Sequence, residues 1–194
     1  MRATISRNRH FIDKNPRGFL LILRLEYSKI YGMEIVDANV AAAESYASAL
    51  DEVAREGKWL ATNVGFSLDE CIAFIRRCNE TKSVELFLMD GDKVAGWCDV
   101  VPTRGIRAGS LGIGLRRQYR GKGYGAALLD TALEKAARRF DKVVLYVRED
   151  NDKAIKMYLR RGFVTKKIYA KGAYKNLPER VLMMIRKFSR KERQ

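Results

Sequence analysis

Apolar and polar positions in this chain follow two different periods, and segments of the two kinds alternate. Apolar residues at every second position, or in short runs, predict strands, whereas apolar residues three and four apart predict helices. The first predicted elements are a strand at residues 33–38, a helix at 39–56 and a helix that begins after Ser67. Ser67 and Glu70 have the spacing of a capping box, which is typical of a helix start.

The second half of the chain continues this alternation. Residues 84–101 predict a hairpin, two strands joined at Asp90-Gly91. The remaining predicted elements are a strand at 110–115, a helix that ends near residue 140, a strand at 142–147, a short helix that stops at Gly162, and strands at 163–170 and 180–188. The pattern therefore predicts an α/β (α+β) protein.

Length, cysteine content and hydropathy set limits on the kind of protein. A chain of 194 residues with 47% hydrophobic residues is long enough for one domain with a sizeable core. The three cysteines are odd in number and contain no CxxC, so they define neither a disulfide framework nor a zinc site. Cys71 and Cys78 are seven apart on a predicted helix, which favours two buried packing residues on one face.

The longest apolar run, at residues 19–27, is interrupted by Arg24 and is too short to span a bilayer. We therefore expect no membrane contact. The cysteine pattern fits a reducing cytoplasm, so we expect a cytoplasmic protein, and we expect no metal.

The net charge of +15 is unevenly distributed. Residues 33–100 carry −7, whereas residues 101–194 carry +17. Solvated helix faces explain many of these side chains taken singly, but so large an excess favours an anionic partner at the second half.

Three glycines lie at alternate positions in RGKGYGAAL, residues 120–128, between a predicted strand and a predicted helix. The first N–H groups of a helix have no intrahelical partner, and the helix dipole favours negative charge there. Glycine lets the main chain approach an anion, and Arg120 and Lys122 add positive charge. The segment has the general form of a phosphate site, and the alternative is a tight turn without a ligand.

Two common phosphate motifs fit this segment poorly. A Walker loop requires Ser or Thr after the lysine, and neither follows Lys122. The dinucleotide fingerprint is formally met by Gly121, Gly123 and Ala126, but RRQYR separates the strand from the first glycine. A nicotinamide cofactor is therefore disfavoured.

The segment LGIGLRRQYRGKGYGAALL resembles the acyl-coenzyme A binding motif of the GNAT superfamily of N-acetyltransferases. The motif [RQ]-x-x-G-x-[GA] matches Arg120, Gly123 and Gly125. Downstream, NDKAIKMYLRRGF at residues 151–163 resembles the second GNAT motif at its usual spacing. The resemblance covers residues 33–188 and implies a single acetyltransferase domain with a mixed, mostly antiparallel central sheet flanked by helices on both faces.

The resemblance implies acetyl-CoA as co-substrate and assigns residues to it. The main chain of Ile113, Gly114 and Leu115 would pair with the pantetheine arm. The pyrophosphate would lie in the loop formed by Arg120, Gly121, Lys122, Gly123, Tyr124 and Gly125.

The second motif contributes two side chains. Asn151 would bond the cofactor arm, or else cap the next helix. Tyr158 would protonate the departing thiolate, or else serve as a core aromatic.

The general base is left open by the resemblance. Some family members carry a glutamate at the position that is Tyr146 here, and tyrosine is a poor substitute. Asp99, on a strand near the expected acceptor site, is the first replacement, although it could simply stabilise the hairpin. Glu34, Glu85 or an ordered water are further alternatives.

The two ends have no clear family counterpart. Residues 1–32 form a basic extension that either adds an edge strand, or makes an oligomer contact such as a homodimer, or is partly disordered. Residues 189–194 form a basic tail that we expect to be disordered.

These observations predict direct transfer of acetyl from acetyl-CoA to a primary amine of a small molecule or peptide. The acidic first half, which would build the acceptor side, predicts a cationic amine or basic peptide end. The alternative function is a polyanion or nucleic-acid binder that uses the basic second half, but that half carries no zinc-finger, RRM or KH signature.

Overall fold

The protein is represented by a computed structural model, which describes residues 29–30, 32–60, 62–81, 83–103, 107–173 and 179–194. Within these residues one sheet has the strand order β1-β2-β3-β4-β5-β6-β8-β7. The strands are β1 Lys29–Ile30, β2 Met33–Asp37, β3 Val84–Asp90, β4 Lys93–Pro102, β5 Ala108–Leu115, β6 Lys142–Arg148, β7 Val164–Tyr169 and β8 Val181–Lys187. Every described pair is antiparallel except β5 with β6.

Four α-helices in the described residues cover the two faces of the sheet. They are α1 Ala43–Arg55, α2 Leu68–Glu80, α3 Tyr124–Ala137 and α4 Asp152–Leu159. The apolar sides of α1 and α2 pack on one face, and those of α3 and α4 pack on the other. The expected mixed, mostly antiparallel sheet with helices on both faces is confirmed.

Local sequence signals position the first two helices. Before α1, the Asn39 side chain accepts the N–H of Ala42 at 3.2 Å and starts a short 3-10 turn. At α2, the Glu70 N–H donates to Ser67 Oγ at 3.3 Å, and the Ser67 N–H donates to Glu70 Oε2 at 2.8 Å. The capping box is confirmed, and Cys71 on this helix is buried, as is Cys78.

The N-terminal extension and the C-terminal tail compare differently with the structure that the sequence predicts for them. β1, at the end of the basic extension, pairs with β2 at the sheet edge, whereas residues 1–28 lie outside the described residues. The expected disorder of the tail is wrong. Glu192 forms an ion pair with Arg186 and accepts the Ser189 N–H at 2.9 Å, and Arg193 forms an ion pair with Asp141. These ionic contacts hold a tail that charge alone predicted to be solvated.

The centre of the sheet opens between β5 and β6. β5 pairs with β4 from Gly109 to Leu115 but with β6 only from Ala108 to Ser110. β6 pairs with β8 along all seven of its residues. Beyond Ser110 the two strands therefore diverge, and the β6-facing edge of β5 has no partner strand among the described elements.

Candidate active site

Asp99 extends across β5, the strand that borders the opening. It is paired with Gly112 on β5, and a Cβ placed on Gly112 would lie 2.6 Å from Asp99 Oδ2. A Cβ on Gly114 would overlap the ring of Trp97 in the same way. Glycine at these two positions lets the side chains of β4 lie over β5 and brings the Asp99 carboxyl toward the opening.

A second carboxyl accompanies Asp99 on the face that α1 and α2 cover. Glu85 on β3 is directly opposite Asp99 and is only 5% exposed. Burial and the charge of Asp99 raise the pKa of Glu85 to about 7, and burial raises the pKa of Asp99 to about 7. A carboxyl with a pKa near 7 is well matched to proton transfer at neutral pH.

The glycine loop takes the conformation that a ligand cradle requires. Gly121 and Gly123 have φ of +78° and +86°, in the left-handed region that favours glycine. A Cβ at either position would meet nothing within 4 Å, so the space beside the loop is open. Gly123 directly precedes α3, and no side chain caps that helix start.

The Arg120 side chain makes contacts within the protein at the start of the glycine loop. Its Nε donates to the Leu115 carbonyl at 2.8 Å, and its two terminal nitrogens donate to the Glu56 carboxylate at 2.7 and 2.6 Å. Trp59 Nε1 also donates to Glu56, at 2.5 Å. Arg120 thus ties the loop to the end of β5 and to the chain just after α1, while Lys122 is exposed.

Arg116 is a buried residue that sequence reasoning missed. It donates to the Val94 carbonyl at 2.9 Å and to Ser45 O and Ser48 Oγ, both at 3.1 Å, and forms an ion pair with Glu52. These bonds attach α1 to the strands beneath it. Nothing in the pair Arg116-Arg117 distinguishes the buried arginine from its exposed neighbour.

The second motif lies beside the first. Arg161, just after α4, donates to Asp130 on α3 at 2.5 and 2.7 Å and to the Ala126 carbonyl at 3.3 Å. The Met157 sulfur lies 4.0 Å from the Cβ position of Gly125. α4 is therefore held against the start of α3, next to the glycine loop.

Tyr158 and Asn151 both have structural roles on α4. Tyr158 is buried in the core, with its ring 5.7 Å from that of Phe163. Burial raises its pKa above the ordinary value, with a smaller contribution from Cys98, so the phenol is protonated at neutral pH. Asn151 Oδ1 accepts the Ala154 N–H at 3.3 Å, which makes Asn151 the N-cap that one alternative predicted.

The remaining base candidates fit less well. Tyr146 is 38% exposed, lies 6.2 Å from the ring of Tyr169 and has a pKa raised first by burial, so it is no base at neutral pH. Glu34 lies on β2, and two strands separate it from β5. Of the proposed carboxyls, Asp99 lies nearest the opening, with Glu85 next to it.

Many cations of the second half have acidic partners in the structure. Arg116, Arg120, Arg148, Arg161 and Arg186 each form an ion pair. The excess positive charge is therefore less available to a polyanion than the sequence count suggests, and the polyanion alternative is not favoured.

The described ranges contain neither a side-chain cluster suited to a metal ion nor a helix suited to cross a membrane. No group of three or more His, Cys, Asp or Glu side chains there is arranged to hold a metal ion. No helix there is both long and apolar enough to cross a bilayer.

Comparison with known proteins identifies what the chain is similar to. A family model described as "Acetyltransferase (GNAT) family" matches residues 43–163, more than half of the chain. Mycothiol acetyltransferase of Corynebacterium aurimucosum is 48% identical over 52 residues, which are 26% of this chain and 17% of that protein. The chain thus matches only a small part of that relative's length.

Solved structures share the fold. An acetyltransferase of the GNAT family from Streptococcus pneumoniae superposes with a TM-score of 0.74 at 23% identity, over 81% of this chain and 99% of that one. Spermidine N-acetyltransferase from Vibrio cholerae, in complex with CoA and spermine, superposes with a TM-score of 0.67 at 16% identity, over 81% and 96% of the two chains.

Proposed function

We propose that this chain, which belongs to the acetyltransferase (GNAT) family, transfers an acetyl group from acetyl-CoA to a primary amine of a small molecule or peptide. The observation that carries the proposal is the divergence of β5 from β6 directly beside the glycine loop that precedes α3. An open strand edge and an uncapped helix start suit the two ends of one ligand, an amide-containing arm and a pyrophosphate.

The cofactor would bind mainly through main-chain groups. The edge of β5 at Ile113, Gly114 and Leu115 would pair with the pantetheine amides as an added strand would. The N–H groups of residues 121–125 would face the pyrophosphate, where the α3 dipole favours negative charge. Asn151 uses its amide oxygen for the helix cap, and its amide nitrogen would donate to the arm.

The reaction would proceed by direct attack. A primary amine is protonated at neutral pH, with an ordinary pKa of about 10.4 for a lysine-like amine. Asp99 would take that proton, and the free amine would attack the thioester carbonyl carbon. When the C–S bond breaks, the leaving thiolate would take a proton from Tyr158. The nitrogen would lose its second proton, which would restore the Tyr158 phenol, and Asp99 would release the first proton to solvent. The products are an N-acetyl amide and CoA thiol.

A covalent acetyl-cysteine intermediate is disfavoured. Burial raises the pKa of Cys71 to about 11 and that of Cys78 to about 12, and it raises the pKa of Cys98 well above its ordinary value. The nucleophile in such chemistry is the thiolate, which these sites suppress. The chain's one histidine, His10, lies outside the described residues.

A cationic amine is the acceptor that the charges favour. The acceptor side of the opening would be the face that carries Asp99 and Glu85, and residues 33–100 have a net charge of −7. Carboxyls there would attract an ammonium group. The structural neighbour from Vibrio cholerae is a spermidine N-acetyltransferase in complex with CoA and spermine, and both of these polyamines are cationic amines.

Replacing Gly123 by Val tests the cofactor loop. Gly123 has φ of +86°, so a β-branched residue would force the loop into another conformation. We expect acetyl-CoA affinity, measured by calorimetric titration, to fall at least about tenfold, since a misplaced loop loses N–H contacts to the pyrophosphate.

Gly172→Val is the matched control. Gly172 also has a positive φ, +74°, with nothing within 4 Å of its Cβ position, but it lies between β7 and β8. Gly172→Val should lower the free energy of unfolding by about 1–3 kcal/mol, as Gly123→Val should. It should leave the affinity for acetyl-CoA unchanged. Equal acetyl-CoA affinity in Gly123→Val and wild type would refute the assignment of the loop.

A further inference from the structure

Resting on the proposed function, we propose that Glu85 is a positioning residue of the acyl transfer, which shares one proton with Asp99 across β3 and β4 and thereby sets the basicity of Asp99. No family motif includes Glu85, and the proposed reaction makes no use of it. Its place in the sheet and its lack of partners are what point to this role.

The pairing of the strands places the two carboxyls on one face. Glu85 and Asp99 are directly opposite one another in the antiparallel β3–β4 pair. Side chains in that relation lie about 4.5–5.5 Å apart at Cβ, and like charges so placed destabilise a sheet. Two ionised carboxylates at this position would therefore be unfavourable, and one retained proton relieves the repulsion.

The burial of Glu85 makes the same point independently. Its side chain is almost fully buried, and neither carboxylate oxygen has a hydrogen-bond partner. The Cys78 thiol lies close enough to affect the pKa of Glu85 but makes no well-formed hydrogen bond. A buried carboxylate without an ion-pair partner or a hydrogen-bond donor is costly, so a role in packing alone does not explain an acid at this position.

The groups around the pair do not neutralise two negative charges. On α1, Tyr46 faces both carboxyls and is neutral, because burial first and then Asp99 and Glu85 raise its pKa. On α2, the thiols of Cys71 and Cys78 are neutral for the same kind of reason. Among the described residues, Arg77 on α2 is a cation that acts on Glu85, but it is exposed and stacks 5.3 Å from the ring of Phe74. Glu85 also borders a cavity lined by Lys135, Arg138 and Arg139, and these cations are bonded to Asp37, to Glu134 and to the Ser83 carbonyl, respectively.

The shared proton has a consequence for catalysis. Asp99 must be ionised to accept a proton from the amine, so activity is lost as pH falls through the pKa of the pair. Burial raises that pKa, and the like charge of Glu85, directly opposite on β3, would raise it further by repulsion. In Glu85→Gln the like charge is gone, the pKa of Asp99 falls, and Asp99 becomes a weaker base that stays ionised to lower pH.

The test is the pH profile of kcat/KM for amine-dependent CoA release by Glu85→Gln. We expect the acidic limb to move to lower pH by about one unit, with a lower plateau at neutral pH. Glu34→Gln, which alters an exposed carboxyl on β2 of the same sheet, should leave the limb in place. If wild type is active and the acidic limb of the kcat/KM profile does not move in Glu85→Gln, the role of Glu85 is refuted and the proposed acetyltransferase function is not.

A second readout does not depend on turnover. Carboxyl ¹³C NMR of the protein without substrates should show Asp99 titrating at lower pH in Glu85→Gln than in wild type. If Glu85→Gln fails to fold, Glu85→Met replaces it in the same measurement. If Asp99 titrated at the same pH in Glu85→Gln and in wild type, the claim that Glu85 and Asp99 share one proton would be refuted. Wild type that consumes no acetyl-CoA with any amine would overturn the proposed function and, with it, the role of Glu85 in the reaction.

Discussion

Replacing Tyr158 by Phe is expected to lower kcat by about 10²- to 10³-fold while acetyl-CoA affinity stays within about twofold. The phenol is buried on α4, the helix that is held against the start of α3, and its raised pKa keeps it protonated at neutral pH. A donor to the leaving thiolate acts mainly in the transition state, so its removal lowers kcat rather than binding. Steady-state kinetics together with calorimetric titration of acetyl-CoA separate the two effects.

The structural role of Tyr158 makes controls necessary. Phe keeps the ring that packs against Phe163, so the free energy of unfolding should change little. Tyr119→Phe removes a different phenol, whose hydroxyl donates to Asp90 at 2.7 Å, and should leave kcat unchanged. If the Tyr158→Phe enzyme retained full kcat, Tyr158 would be a core aromatic only, which is the alternative that its sequence pattern leaves open.

Replacing Asp99 by Asn is expected to lower kcat/KM at neutral pH by about 10²- to 10⁴-fold, the range that a general base contributes. Asn has nearly the same shape but accepts no proton from an ammonium group. Asp99 is only partly exposed on β4, a strand inside the sheet. Because Asn fits the same space, the substitution should leave the fold intact. The measurement is initial-rate kinetics over a range of amine concentrations.

Gly112→Ala probes the same carboxyl without removing it. The added Cβ would stand 2.6 Å from Asp99 Oδ2, so the carboxyl must move away from β5. We expect a loss of kcat/KM that approaches that of Asp99→Asn, whereas Asp92→Asn, at the exposed hairpin turn, should have none. Wild-type kcat/KM in Asp99→Asn would show that the base lies elsewhere.

Local signals in the sequence predicted most of the elements. The Ser67–Glu70 capping box fixes the start of α2, and periodicity alone predicts β2 and β6 within a residue or two. Both kinds of signal depend on residues within one or two turns of each other. The tail was predicted wrongly, because Arg193 meets Asp141 from more than fifty residues away.

The geometry of the site depends on long-range pairing that periodicity does not contain. Counting back from the hairpin turn pairs Asp90 with Lys93 and would place Glu85 opposite Cys98. An irregularity between Leu88 and Met89 shifts the register by one residue and places Glu85 opposite Asp99 instead. The divergence of β5 from β6 is set in the same way, by strands brought together only in the fold.

The most direct test of the central claim is a stoichiometric assay on purified protein with acetyl-CoA and a panel of amines. Released CoA thiol and acetylated amine are counted in the same reaction, the second by mass spectrometry. The panel compares polyamines and lysine-like amines with neutral and glutamate-like amines at low and high salt. We predict one thiol for each N-acetyl group and the highest kcat/KM for the cationic amines. No thiol release with any amine, together with steeply salt-dependent binding of DNA, would contradict the proposal and support the polyanion alternative.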